Sequence, residues 1–188
     1  MSEPEPMKTL GVIADTHIPD RTPHLHPGVL PTFHQAGVEA ILHAGDISTP
    51  RVISQLEQVA PVYAVRGNRD WIWLRNLPAA RTFSYFGVPI VLTHGHGSLW
   101  DYLCNHLYIL LRGYQPEQFV RPLMARFPDA KVIVFGHTHV PFNDWVEGRL
   151  LFNPGSPHNA LKRQLAPSVG LLHISAEGQV VAESVELV

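Results

Sequence analysis

The chain has 188 residues, 45% hydrophobic and 16% charged, with 14 Lys+Arg against 16 Asp+Glu and a formal net charge of -2. That size fits one compact domain, and a near-neutral balance with no basic block excludes bulk nucleic-acid binding as the main task. A single cysteine, Cys104, excludes an intramolecular disulfide framework and a thiolate metal cluster.

No apolar run approaches the roughly 18 residues of a membrane span. Met1 to Lys8 lacks the basic and apolar regions of a secretory leader. A soluble, cytoplasmic protein is expected, one domain over 1–188 with residues 1–7 as a flexible extension.

The run Leu10 to Ala14 reads as a buried strand that stops at Asp15-Thr16-His17. A proline-punctuated loop and a helix over about Val29 to Ala36 lead to a second strand, Ala40 to His43, which stops at Gly45-Asp46. Ser48 or Thr49 with Pro50 opens another helix, with Val52, Ile53, Leu56 and Val59 at helical spacing, and Pro61 to Val65 is a third strand, ending at Gly67-Asn68. This βαβαβ order predicts parallel strands with right-handed crossovers.

Beyond Trp71 to Leu77, strands Arg81 to Phe86 and Pro89 to Thr93 are predicted to form a hairpin turning at Gly87-Val88, the second running into His94-Gly95-His96. Leu99 to Leu111 places Trp100, Leu103, Leu107, Leu110 and Leu111 on one helical stripe, which suits the core, a homodimer contact or a cleft wall. A helix over Pro116 to Phe127 precedes the strand Lys131 to Phe135, which ends in Gly136-His137-Thr138-His139. Short strands follow at Val140 to Trp145, Arg149 to Phe152, Val169 to Ser175 and Gln179 to Leu187, around the turn Asn153-Pro154-Gly155-Ser156.

Histidine is abundant, at 12 residues, and its placement carries the functional signal. Five strand ends bear Asp15/His17, Asp46, Asn68, His94/His96 and His137/His139. In a mainly parallel sheet such ends gather along one edge, where ligands bind. Oxygen donors mixed with imidazoles and no thiolate suit Mn, Fe, Zn, Ni or Mg, with Mn the first expectation, and the set is too large for one ion. Two divalent ions sharing a carboxylate are implied; such pairs generate a hydroxide nucleophile and offset charge on a phosphoryl group under in-line attack. The glycines before Asp46, Asn68 and His137 are expected to allow sharp exits from their strands.

Asp15-x-His17, Gly45-Asp46, Gly67-Asn68-x-Asp70, His94-Gly95-His96 and Gly136-His137-x-His139 resemble, in order and spacing, the five signature blocks of calcineurin-like metallophosphoesterases. The small size and the Asn-Pro-Gly-Ser segment resemble the compact bacterial and archaeal phosphodiesterase branch. The resemblance implies an α/β sandwich of two mixed β-sheets flanked by helices. It also implies one ion on Asp15, His17 and His139, a second on Asn68, His94 and His137, and Asp46 as the bridge. In the family the residue after the asparagine is often a histidine that contacts substrate or leaving group and is oriented by the next acid. Here Arg69 and Asp70 stand there; Arg69, Asp70 and His96 are the candidate catalytic residues, with Arg69 or His96 meeting the phosphate or leaving group of a small phosphodiester. Two other readings are a phosphomonoesterase or nucleotide hydrolase, and a non-catalytic scaffold like the small retromer subunit, which resembles this branch. A scaffold should show eroded ligands and a large exposed apolar patch; none of the seven ligands is missing. Of the other histidines, His158 beyond the Asn-Pro-Gly-Ser turn is read as a surface loop residue.

Overall fold

The computed structural model describes residues 6–96, 115–158 and 165–188. Strands β1 (Met7–Ile13) and β2 (Ala40–His43) are apolar on both faces, and every residue from Thr9 to Ile13 and from Ala40 to His43 is buried. Strands of that kind need cover on two sides. On one side it comes from α1 (Val29–Gln35) and α2 (Pro50–Leu56), which pack Val29, Phe33, Val52 and Leu56 against Ile13 and Ile41. Thr49, extended, caps α2 with Pro50 at its start, where the missing N–H costs nothing. On the other side lies a second sheet.

The first sheet adds β3 (Val62–Ala64), parallel to β2, and the antiparallel pair β9 (Ser168–Ser175) and β10 (Val180–Glu186), in the order β10-β9-β1-β2-β3. The second contains β4 (Ala80–Tyr85), β5 (Val88–Thr93), β6 (Val132–Val134), β7 (Phe142–Val146) and β8 (Arg149–Asn153), in the order β4-β5-β6-β8-β7, with β5, β6 and β8 parallel. Between the sheets Leu10, Val12 and Leu42 meet Ile90, Leu92, Val134 and Phe152. Each fully buried side chain of this size is worth about 1.5–3 kcal/mol relative to exposure. Helix α3 (Glu117–Arg126) covers the outer face of the second sheet, setting Val120, Leu123 and Met124 on Val91, Ile133 and Leu151. The result is the expected sandwich of two mixed sheets between helices.

Three details differ from the sequence reading. Met7, assigned to the extension, pairs with Ser175 as the first residue of β1. The hairpin turns at Phe86-Gly87, with φ of 49° and 77°, because Val88 is buried and pairs with Tyr85; two positive φ values match the strand twist. The ligand-bearing ends do not share one sheet: those of β1, β2 and β3 belong to the first, those of β5 and β6 to the second. The helix expected over Leu99 to Leu111, and the dimer contact suggested for it, lie outside the described residues. Among the described residues no helix is long and apolar enough to cross a membrane.

Candidate metal centre

Both sheets deliver their strand ends to one place. Beyond β1 the backbone continues its ladder with β2 in a kinked form, the Asp15 N–H donating to the Gly45 carbonyl (3.0 Å) and the His17 N–H to that of Asp46 (3.0 Å). Across the sheets, the His137 N–H donates to Asp15 Oδ2 at 2.8 Å. The turns hold Asp15, His17, Asp46, Ser48, His137 and His139 at φ between 48° and 72°, a left-handed region that L-residues avoid.

Two cages of donor atoms result. In the first, His17 Nε2 and His139 Nε2 are 3.2 Å apart, His139 Nε2 is 3.5 Å and His17 Nε2 3.8 Å from Asp15 Oδ1, and Asp46 Oδ2 is 3.5 Å from His17 Nε2. In the second, Asn68 Oδ1 lies 3.1 Å from His94 Nε2 and 3.2 Å from His137 Nδ1, and Asp46 Oδ1 is 3.5 Å from His94 Nε2. Asp46 thus presents one oxygen to each cage. All seven ligand residues expected from sequence converge.

The donor set fits divalent ions. Asp15 Oδ1, fully buried, accepts no hydrogen bond among the described residues. His94 donates Nδ1–H to the Ala44 carbonyl (2.7 Å), which fixes its tautomer and leaves the Nε2 lone pair facing Asn68 Oδ1. Two acceptors in contact call for positive charge between them. The protonation energetics say the same of the ion-free site. Burial pushes Asp15 up to about 8, with Asp46 adding to the rise against the pull of His94. For His94, burial opposes the charged form but the carboxylates of Asp46 and Asp15 outweigh it, so its pKa is raised. His17 goes to about 2, through burial first and then the neighbouring His139 and Arg21.

The residues proposed for catalysis fall less uniformly. Asp70 is buried and spends Oδ1 on the N–H groups of Ile47 and Ser48 (2.9 and 2.8 Å) and Oδ2 on that of Gly67 (2.8 Å). It ties the Asp46 turn to the Asn68 turn. Arg69 donates its backbone N–H to Asp46 Oδ1 at 2.8 Å while its side chain is exposed. His96 is half-buried beside the second cage, its ring centroid 5.3 Å from that of His94 and 6.2 Å from that of His137, and burial draws its pKa down to about 4.

Sequence reasoning missed the frame around the candidate ligands. His43, buried at the end of β2, accepts the Gly45 N–H on Nδ1 (3.3 Å) and so donates Nε2–H to Thr16 Oγ1 (3.2 Å), joining two ligand turns through a neutral imidazole whose pKa burial lowers to about 3. Asn153 donates to the Gly136 carbonyl (2.8 Å) and to Thr138 Oγ1 (3.1 Å), and Ser156 donates to the Asp15 carbonyl (2.9 Å). The Asn-Pro-Gly-Ser turn was visible, but not what it holds. Arg21 Nη1, 3.4 Å from His139 Nε2, carried no sequence signal. His158, read as a surface residue, is half-buried and stands edge-on to His17 and His139.

The pattern of the calcineurin-like phosphoesterase superfamily domain matches residues 7–177. The chain belongs to that family. A probable metallophosphoesterase of Methanothermobacter thermautotrophicus is 38% identical over 168 residues, covering 89% of this chain and 87% of the relative. A phosphodiesterase of Methanocaldococcus jannaschii is 24% identical over 176 residues, 87% of this chain and 91% of the relative. Among solved structures, wild-type Vps29 from Entamoeba histolytica complexed with zinc superposes with a TM-score of 0.67 at 22% identity, over 95% of this chain and 98% of that one. At that identity the likeness shows the fold alone. Membership of this metallophosphoesterase family fits the two cages, whose donors are oxygen and imidazole nitrogen throughout.

Proposed function

We propose that this metallophosphoesterase hydrolyses a small phosphodiester, with Asp15, His17, His139 and Asp46 holding one divalent ion and Asn68, His94, His137 and Asp46 the other. The observation that carries the reading is the pair of cages sharing the two oxygens of Asp46. When bound, ions of this kind supply Lewis-acid stabilisation of the phosphoryl oxygens and a nucleophile near neutral pH. The chain's own part is to fix both ions through a turn that Asp70 staples and Arg69 N–H orients. Arg69, exposed next to Asp46, carries a guanidinium that pairs with a phosphate oxygen through two hydrogen bonds but cannot donate a proton at neutral pH. The phosphodiesterase of M. jannaschii supports the diester over the monoester.

The decisive measurement is retention of manganese after saturation and desalting, paired with hydrolysis of an activated diester and the matching monoester. Two ions per chain and preference for the diester are expected; a plateau at one ion overturns the two-metal reading. A series of methyl aryl phosphates then tests Arg69. Steep dependence on leaving-group pKa is expected in the wild type and a shallower one in Arg69→His, which supplies an acid typically worth about 10²–10⁴-fold for poor leaving groups. A shallow slope in both proteins assigns the proton to another group.

One observation favours the scaffold as second reading. Trp71, Ile72 and Trp73, directly after Asp70, are 58%, 77% and 71% exposed, the kind of apolar run a partner protein covers. Retained ions without hydrolysis of either ester would favour it.

A further inference from the structure

The loop leaving β8 brings one more imidazole to the first cage. Ring nitrogens of His17, His139 and His158 all lie within 4.8 Å of one another. His17 and His139 stack nearly parallel, 13° between planes and 5.0 Å between centroids. His158 meets both at 68°, with centroids at 5.8 and 5.6 Å. One nitrogen from each ring therefore lies close enough to the other two for all three to reach a single ion. The approach is also anchored. Ser156, two residues before His158, donates to the Asp15 carbonyl, Ser168 Oγ donates to the Pro154 carbonyl (2.7 Å), and Asn153 clamps the turn that carries His137 and His139. The base of the loop is therefore tied to the same ligands that His158 faces.

We propose that His158 is a third imidazole ligand of the ion held by Asp15, His17 and His139. The assignment rests on the two-metal reading and deepens it, because it makes the two positions chemically unequal. The first then offers three imidazoles with carboxylate oxygens. The second offers two imidazoles, one amide oxygen and one carboxylate oxygen. A nitrogen-rich set discriminates for Co, Ni and Zn over Mn and Mg, which take oxygen donors more readily. The first position should therefore fill first with a borderline ion, and the second should be the more tolerant of manganese.

The test is a Co²⁺ titration of the metal-free protein, read by competition with a chromophoric chelator and by the paramagnetically shifted imidazole N–H resonances. In His158→Ala one shifted N–H resonance should vanish and the affinity for one of two ions should fall at least about tenfold, the lower end of what perturbing a metal site's shells costs. Mn²⁺ affinity should change less. His158→Gln, which keeps a polar side chain of similar reach, should behave alike and carries the test if the alanine variant fails to fold; His24→Ala, at an exposed histidine, should change nothing. If both His158 variants bind two Co²⁺ ions with wild-type affinity and an unchanged set of resonances, the assignment is wrong while the two-metal reading stands. If the wild type binds no Co²⁺ the assignment is overturned, and if it also retains fewer than two Mn²⁺ ions the two-metal reading falls with it.

Discussion

The sandwich turns its chain by different means at its two ends. At the N-terminal ends of β5 and β8, two hairpins turn at Phe86-Gly87 and Glu147-Gly148, each with a pair of positive φ values, 49° and 77° in one and 49° and 73° in the other. A Cβ added at Gly87 or Gly148 would meet nothing within 4 Å. Those glycines serve local conformation only. At the opposite end of the sandwich, where strands of both sheets finish, the left-handed positions fall on Asp15, His17, Asp46, Ser48, His137 and His139, at roughly 1–2 kcal/mol each for a residue with a Cβ. Long-range bonds from the other sheet and from Asp70, His43 and Asn153 offset that strain. The glycines there have another purpose too. Gly45 (φ 89°) makes the sharp exit expected of it, but Gly67 and Gly136 have no positive φ; a Cβ at Gly67 would lie 2.2 Å from Asp46 Oδ1, and one at Gly136 would lie 2.9 Å from the Ala44 carbonyl oxygen. They are small so that the neighbouring turns bearing the candidate donors can touch. Hairpin turns are thus set by the residues in them, and the turns bearing the candidate donors by what packs on them.

The largest effect that separates the two kinds of turn is expected from Gly67→Ala. The added methyl collides with the Asp46 side chain and backbone, so stability should fall by about 3 kcal/mol or more, the upper part of the overpacking range, and retention of both ions should fall with it. Chemical denaturation and metal analysis measure the two losses. An unchanged ion count would mean that Asp46 is not held by that contact.

Next comes Asp70→Asn. The amide keeps one oxygen but turns an N–H₂ group toward a backbone donor, so a loss of about 2 kcal/mol is expected, the cost of leaving a buried donor unsatisfied. Amide hydrogen exchange should speed up at Ile47, Ser48 and Gly67 and stay constant in the hairpins. Acceleration everywhere would show a global role instead of a local staple.

A third expectation concerns pH in the metal-free protein. His43 has its folded pKa lowered from 6.5 to about 3, so its contribution is complete above pH 6.5 and is lost as pH falls toward 3. At pH 5.5 that loss is about 1.4 kcal/mol relative to neutral pH. The drop in denaturation free energy between pH 7.5 and 5.5 should be smaller by that amount in His43→Asn. Equal drops in the two proteins would remove His43 as the acid-sensitive tie between ligand turns.

The smallest effect belongs to the hairpins. Gly87→Ala meets no neighbour and imposes only the left-handed penalty, about 1 kcal/mol, with ion retention and activity unchanged. Loss of either function would show that the hairpin reports to the site, against the division drawn above.

Much of this was legible from the chain itself. Apolar runs that stop at Asp15, Asp46, Asn68, His94 and His137 mark both the strand and the end that carries the candidate donors, because an abrupt change from apolar to ligand-type residues is a local signal. Spacings such as Asp15-x-His17 and His137-x-His139 survive folding unchanged, since two residues apart on one turn remain neighbours. The parallel order of β1, β2 and β3 followed from the alternation of strands and helices. Asp70, by contrast, looked like a residue that orients a catalytic neighbour, and its three N–H partners lie up to 23 positions away in sequence.

What the sequence by itself determined, then, is the inventory: which donors exist, that they sit at strand ends, and that none is a thiolate. Only the tertiary structure decided how they are shared. The split of Asp46 between two cages, the contact of His137 N–H with Asp15, and the arrival of His158 edge-on to His17 and His139 join segments up to 141 residues apart, as the Ser156 bond to the Asp15 carbonyl does. Such distances depend on how two sheets pack face to face through Leu10, Val12, Leu92 and Val134. No local pattern encodes that packing, because it is the sum of many weak, non-directional contacts spread along the whole chain.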